Sequence, residues 1–377
     1  MHKISMYNFL LNPFRIHKAL CNFAQIFIMA DFHSLTVQSV KPLTPDAVAI
    51  TFSIPKELAQ TFVFTAGQYI TIKKKVKGKE LRRAYSISSS PTAKTITIGI
   101  KKVGKEGFSN YANTKIAAGD VLEVMPPEGR FTFNPTAATK SIAAFAAGSG
   151  ITPIISIATS VLNSNPNNKF VLVYGNKSYK ETMFYTDLVK LQLEYSDRFF
   201  IYFTNSQAKE DDSLFGRIDT NTISYALKEK HADVAFDDFY LCGPEAMINL
   251  VTNTLKEGGV ANDVIHFELF TATEIKEELP QTAEGTSEVT VLVDDEEFSF
   301  SMDKNTLILD AVLKENIDAP YSCQGGVCSS CIAKVTEGKA EMTNNQILTD
   351  GEIADGLILT CQARPTTPNI KVDYDDV

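Results

Sequence analysis

No stretch of the 377-residue chain is apolar for long enough to cross a bilayer, so the sequence predicts no membrane span. No convincing secretory leader is expected either. Lys3, Arg15 and Lys18 precede a short apolar stretch at 19–29, but Asn22 and Gln25 interrupt it and no A-x-A-like cleavage site follows. Met29-Ala30-Asp31 reads as a second start, so residues 1–30 are read as an extension outside the folded body, and Cys21 within it receives no role. Cysteine is scarce: six residues are too few for a disulfide scaffold at this length, and a cytoplasmic location is the expectation. Histidine is scarcer still, with five residues, and none is assigned a catalytic task. An excess of positive charge is also lacking. The formal net charge is −9, which argues against a nucleic-acid partner. That acidity is uneven: residues 288–377 carry 17 acidic against 6 basic side chains, while the remainder is close to neutral.

The few cysteines are concentrated where they matter. The loop 321–331 reads Y-S-C-Q-G-G-V-C-S-S-C, which sets Cys323, Cys328 and Cys331 at a C-x4-C-x2-C spacing, with Cys361 following at a distance. Plant-type [2Fe–2S] clusters are held with this spacing. Two irons need four thiolates, and one tight loop supplies three of them only if its backbone curls around the cluster. Gly325 and Gly326 are expected to permit that curl by taking positive φ, with backbone N–H groups turned toward the sulfur. Structural zinc is the alternative, but it usually takes two C-x2-C-like pairs and only Cys328 and Cys331 make one.

Elsewhere the hydrophobic period divides the chain. Short alternating runs between Pro, Gly and Lys clusters predict an antiparallel β-barrel over 31–137. Buried strand-length runs alternating with helices predict a parallel-sheet α/β domain over 138–270. Residues 271–287 lack an apolar period and are expected to be a linker. The acidic tail, 288–377, reads as a hairpin turning at Asp294-Asp295, a helix capped by Asn305 or Thr306, the cysteine loop and a closing strand at 370–372. The whole is a multidomain chain of β, α/β and α+β parts.

Four motifs stand out in the first two domains. The barrel holds Arg83-Ala84-Tyr85-Ser86, which on its own is compatible with any strand. Gly107-Phe108-Ser109 opens a short helix that Ser109 is expected to cap, its free N–H groups suiting a pyrophosphate. Gly148-Ser149-Gly150-Ile151-Thr152-Pro153 joins a strand to a helix; Pro153 replaces the third glycine of a Rossmann fingerprint and suits a first helical turn. Cys242-Gly243-Pro244-Glu245-Ala246-Met247 follows a strand, and as an isolated thiol Cys242 reads as packing.

Together these motifs resemble the ferredoxin–NADP reductase superfamily, with its R-x-Y-S, G-x-x-S/T, G-x-G-I-T-P and C-G-P-x-x-M elements. The resemblance implies FAD in the barrel, Arg83 on the flavin phosphate, Ala84 and Tyr85 against the ring, Ser86 near its reactive nitrogen, and Gly107, Phe108 and Ser109 at the pyrophosphate. It implies NADPH or NADH along Gly148, Gly150, Thr152, Pro153, Cys242, Gly243 and Pro244, with Glu268 and Phe270 at the flavin's reactive edge. Tyr85, Ser86, Cys242 and Glu268 are thereby the catalytic candidates. The tail is similar to a β-grasp ferredoxin, with Cys323, Cys328, Cys331 and Cys361 as iron ligands.

The domain order is that of oxygenase reductases. The wording of 326–331, 337–342 and 360–363 resembles the reductase subunits of phenylacetyl-CoA epoxidases, which implies a di-iron oxygenase as the electron acceptor, docking on the acidic tail. Phthalate-dioxygenase-type reductases share the order but use FMN, and the G-x-x-S element leans toward FAD. A flavin and iron–sulfur carrier or sensor is the rival class, though it would not need both nucleotide motifs. For the nucleotide itself the resemblance favours NADPH. Lys177 and Ser206 are candidates for a 2′-phosphate, while no arginine clamp stands at 204–207.

Overall fold

The computed structural model describes residues 32–76, 78–104, 107–270 and 285–377. The expected extension at 1–30 and most of the expected linker lie outside the described residues.

Six strands build the first domain: β1 (His33–Thr44), β2 (Ala47–Ser53), β3 (Tyr69–Val76), β4 (Lys79–Ser86), β5 (Thr95–Lys101) and β6 (Val121–Val124). All neighbours pair antiparallel in the order β4-β3-β6-β1-β2-β5, and an Ile87–Ile98 bridge joins the two ends of that order into a barrel. Alternation explains the closure. Leu35, Val37, Ile50, Phe52, Ile70, Ile72, Ile96 and Ile98 point inward into one core, while intervening polar residues face out. Helix α1 (Phe108–Thr114) plugs one end, with Phe108 buried in that core.

The second domain is a parallel sheet of β7 (Ser141–Ala147), β8 (Lys169–Asn176), β9 (Phe199–Asn205), β10 (Leu214–Phe215), β11 (Asp238–Gly243) and β12 (Ile265–Leu269), in the order β10-β9-β8-β7-β11-β12. Its central strands are apolar on both faces because helices cover both. Ile142, Ala144 and Ala146 meet Ile154, Ile157 and Val161 of α2 (Ile151–Ser164) on one side. Their neighbours Ala143 and Phe145 meet Ile248, Val251 and Leu255 of α3 (Glu245–Glu257) on the other. The chain runs outward from β7 to β10 and then returns to β11. The strand order therefore reverses between β7 and β11, and ligands of such sheets bind at the carboxyl ends of the strands there.

The tail domain holds β13 (Thr286–Val293), β14 (Glu296–Asp303), β15 (Ile332–Glu337), β16 (Ala340–Met342), β17 (Leu357–Leu359), β18 (Ala363–Pro365) and β19 (Asn369–Asp373). Five form a mixed sheet, β14-β13-β19-β15-β17, and β16 pairs β18 in a separate ribbon. Asp294 and Asp295 both take positive φ, 54° and 61°, as a two-residue hairpin requires. The carboxylate of Asp375 accepts from both of their backbone N–H groups, at 3.0 and 2.9 Å, which fixes the turn. Two expectations change here. Thr286 and Ser287, expected in the linker, already belong to β13, and Ser287 is buried with its hydroxyl donating to the Thr367 carbonyl. Helix α4 (Ile308–Lys314) begins after Leu307 and has no side-chain cap, so neither Asn305 nor Thr306 serves as one. The Leu309 N–H finds the Thr360 carbonyl instead, so burial of Ile308 and Leu309 decides where the helix starts.

Candidate active site

All three domains meet around one cavity of 460 Å³. The barrel contributes Arg83, Ala84, Tyr85 and Ser86 from β4 and Gly107, Phe108 and Ser109 from the start of α1; the nucleotide domain contributes Thr152, Glu268 and Phe270; the tail contributes Cys323 and Cys328. Residues drawn from separate motifs of the sequence thus share one wall. Gly148, Gly150, Pro153, Cys242, Gly243 and Pro244 do not line this cavity. They form the adjoining turn at the ends of β7 and β11, where Gly150 is pressed against Cys242: a Cβ on Gly150 would lie 2.1 Å from the Cys242 carbonyl oxygen. Only glycine lets the start of α2 approach the end of β11 that closely.

Ser109 is not the helix cap. Gly107 occupies that position with φ of 100°, and the Ser109 hydroxyl exchanges hydrogen bonds with the backbone of Val103, tying the helix to the preceding loop. The helix start is open toward the cavity, but the residue that leaves it open is the glycine.

Buried at the cavity floor, the Ser86 hydroxyl donates to the Glu268 carboxylate at 3.1 Å. Burial pushes the Glu268 carboxyl up to about 8, the Ser86 hydrogen bond pulling the other way, so at neutral pH it holds a proton. Burial, and next the Glu268 charge, also push the Cys242 thiol well up, which keeps it neutral. A carboxyl that must lose its proton in a buried site destabilises the fold as pH rises. The Glu268 contribution is fully present below about 4.5 and is lost as pH passes through about 8. Thermal melts at pH 6 and pH 9 are therefore expected to show Glu268→Gln gaining on the parent at the higher pH by on the order of a few kcal/mol; equal differences at both pH values would contradict the assignment.

The cysteine loop meets the requirements of two irons. Cys328 and Cys331 are buried and Cys323 is half-buried; Cys361, from the turn before β18, is buried beside them. Hydrogen bonds from Cys328 and Cys361 hold the Cys323 thiol well below its ordinary range, and one from Cys361 lowers Cys331, while the two donors are pushed up. Cys361 thus touches both Cys323 and Cys331, and Cys328 touches Cys323, so the four thiols converge at one place. Four converging cysteines are the donor set that a [2Fe–2S] cluster would need. The Gly325 N–H donates to the Cys323 sulfur at 3.3 Å, as the inward-facing backbone reading expects. Positive φ falls at Gln324 and Gly326, at 54° and 74°, and not at Gly325.

Sequence reasoning missed several residues. Tyr69, Ser149 and Lys101 also line the cavity. Glu128 is buried against the Tyr69 phenol and pushed up to about 7 by that burial. Arg82, next to the predicted Arg83, faces the tail domain and pairs with Asp318 at 2.7 Å. Of the nucleotide candidates, Lys177 pairs with Glu181 at 3.7 Å and the Ser206 hydroxyl donates to the Asn176 carbonyl.

Comparisons with known proteins find a family model in each of three stretches. Residues 34–133 match an oxidoreductase FAD-binding domain, 145–253 an oxidoreductase NAD-binding domain and 291–366 a 2Fe-2S iron–sulfur cluster binding domain. A fold that gathers a nicotinamide, a flavin and a one-electron cluster around one cavity defines an NAD(P)H-dependent electron-transfer reductase. The chain belongs to the family of oxygenase reductase components: it is 38% identical to a component of the 1,2-phenylacetyl-CoA epoxidase of Escherichia coli (strain K12), over 92% of this chain and 99% of that one. It is 32% identical to the ferredoxin reductase component of 3-ketosteroid-9-alpha-monooxygenase from Rhodococcus rhodochrous, over 90% of this chain and 96% of the other. Among solved structures, phthalate dioxygenase reductase superposes with a TM-score of 0.57 at 23% identity, covering 91% of this chain and 98% of that one. An intact type IV self-sufficient cytochrome P450 monooxygenase gives 0.67 at 22% identity, covering 96% of this chain and 44% of the other. Both likenesses speak to the fold.

Proposed function

We propose that the chain carries electrons from NADPH to the oxygenase of a phenylacetyl-CoA epoxidase, a di-iron enzyme by the resemblance of its reductase. The similarity that carries this reading is the 38% identity that runs through all three domains, since shared cofactor domains alone would suit any oxygenase reductase. The bound groups supply the electronic conversion: the flavin takes two electrons together from the nicotinamide and the cluster takes them singly.

The residues of this chain position and protect those groups. Arg83 holds the flavin phosphate as a fixed cation, and the open start of α1 at Gly107, Phe108 and Ser109 receives the pyrophosphate. Ala84 and Tyr85 pack on the flavin ring. Protonated Glu268, steadied by the Ser86 hydroxyl that donates to it, would be the donor at its reactive edge, with Phe270 beside it. Gly148, Gly150, Thr152 and Pro153, with Cys242, Gly243 and Pro244, cradle the nicotinamide nucleotide, and neutral Cys242 leaves the charge there unopposed. Cys323, Cys328, Cys331 and Cys361 would hold the cluster, with Cys323 and Cys328 reaching the cavity wall. The acidic tail then meets a basic patch on the oxygenase. A cytoplasmic location belongs to the same reading, because the four ligand thiols must stay reduced until iron is loaded.

The 32% relative supports a second acceptor class, a steroid hydroxylase. Reconstitution separates the two. With NADPH, the chain is expected to sustain oxidation of phenylacetyl-CoA by the epoxidase oxygenase subunits and not oxidation of 3-ketosteroids by a 3-ketosteroid monooxygenase; the reverse pattern would overturn the acceptor assignment.

A further inference from the structure

The tail domain does not merely sit near the cavity; named contacts fasten its cysteine loop to the barrel. They come from the two-strand hairpin β3–β4, which also supplies the flavin-facing residues. Adjacent residues on β4 point to opposite faces, so Arg83 looks into the cavity while Arg82 looks toward the tail. The Arg82 side chain is only 6% exposed. It donates to Asp318 at 2.7 Å and to Glu80 at 3.2 Å, and its plane lies 4.5 Å over the Tyr321 ring. Tyr69, paired with Ser86 across the hairpin, places its hydroxyl 2.9 Å from Ser329 Oγ and 3.0 Å from Ser330 Oγ. Asp318, Tyr321, Ser329 and Ser330 all flank or separate the cluster cysteines, so the barrel grips the loop itself. The Arg82 side chain is buried while Asp318 is 69% exposed, so this contact draws on ring stacking and its two hydrogen bonds more than on charge pairing, and Arg130 with Glu352 adds a further ion pair between barrel and tail.

We propose that Arg82 and Tyr69 are positioning residues that latch the iron–sulfur loop against the flavin cavity, so that the rate of electron passage between the two groups is set by this contact. The proposal rests on the reading that electrons run from flavin to cluster. The hairpin reaches both ends of that passage: its cavity face carries Arg83 and Tyr85, and its tail face carries Arg82. The linker tethers the tail after a latch breaks, so loss of the contact lowers the docked fraction without separating the domains.

The test uses the full holoprotein with Arg82→Gln, Asp318→Asn and the reversed pair Arg82→Asp with Asp318→Arg. Flavin reduction by NADPH and cluster reduction are followed at separate wavelengths, and hydrogen exchange is read over residues 318–331. Each single variant is expected to slow cluster reduction about tenfold and to speed exchange of the loop by a similar factor, with flavin reduction and iron content unchanged. The reversed pair should restore much of both. Tyr69→Phe should speed loop exchange in the same direction. Unchanged loop exchange and cluster reduction in the single variants would overturn the latch, as would a parallel loss of flavin reduction or of iron, which would mark a merely structural role. If the parent protein itself never passed electrons from flavin to cluster, the underlying reading would fail instead, and the exchange measurement would still decide whether the latch exists.

Discussion

Cys331→Ser is expected to strip the protein of its iron–sulfur colour while leaving it yellow and reducible by NADPH. Cys331 is 1% exposed and contacts Cys361, and in the proposed reading both are iron ligands. Serine keeps the volume but not a thiolate ligand at neutral pH, and the cluster loses one of four bonds. Loss of a ligand from the inner set exceeds the 10–100-fold cost usual for supporting residues, so transfer to a one-electron acceptor protein should fall by more than about a hundredfold. Cys331 does not line the cavity that Ser86, Glu268 and Thr152 share, so flavin reduction should stay within about twofold. Iron content, visible absorbance and stopped-flow flavin reduction check these three outcomes. A variant that kept its iron would mean that Cys331 is not a ligand.

Gly150→Ala is expected to be the most damaging single-methyl change in the nucleotide domain. The new Cβ would sit 2.1 Å from the Cys242 carbonyl oxygen and 2.5 Å from its carbon. Both atoms are backbone in β11, which is paired on both sides, so the neighbour cannot turn away as a flexible side chain would. Relief requires α2 to move off the sheet, opening the packing of Ile154 and Ile157 against Ala144 and Ala146. Overpacking of this kind costs about 3 kcal/mol, equivalent to roughly 6–12 °C in Tm for a domain of this size. Because α2 carries Thr152 into the cavity, the same shift should raise KM for the nicotinamide nucleotide more than it lowers any property of the barrel or the cluster. Thermal melting and flavin-reduction kinetics at varied NADPH check both parts, and an unshifted Tm would show that the backbone there has more room than the structure gives it.

Much of this was legible in the sequence because the informative signals are local. The C-x4-C-x2-C loop, the R-A-Y-S strand and the G-S-G-I-T-P turn each compress a site into a few adjacent residues, and the switch from period-two alternation to buried runs marks the domain change. The structure departs from that reading where tertiary contacts decide. Ser109 looks like a cap, but the positive φ of Gly107 takes that position and sends the Ser109 hydroxyl to Val103. Asn305 and Thr306 look like caps, but burial of Ile308 and Leu309 starts the helix later. Positive φ moved from Gly325 to Gln324 because the curl of the loop begins one residue earlier. The latch was invisible for another reason. Tyr69 and Ser329 are 260 residues apart, Arg82 and Asp318 are 236 apart, and none of the four belongs to a motif whose chemistry announces a partner. The strongly acidic tail is the one sequence feature that bears on it, and part of that acidity faces barrel arginines within the chain.

The central claim is that two electrons entering together at the flavin leave one at a time through the tail. Anaerobic titration of the holoprotein with NADPH, followed by visible absorbance and low-temperature electron paramagnetic resonance, tests it most directly. Substoichiometric NADPH should bleach the flavin band and raise the rhombic signal of a reduced [2Fe–2S] cluster in the same samples, up to one spin per chain. Flavin bleaching with no cluster signal at any NADPH level would contradict the account.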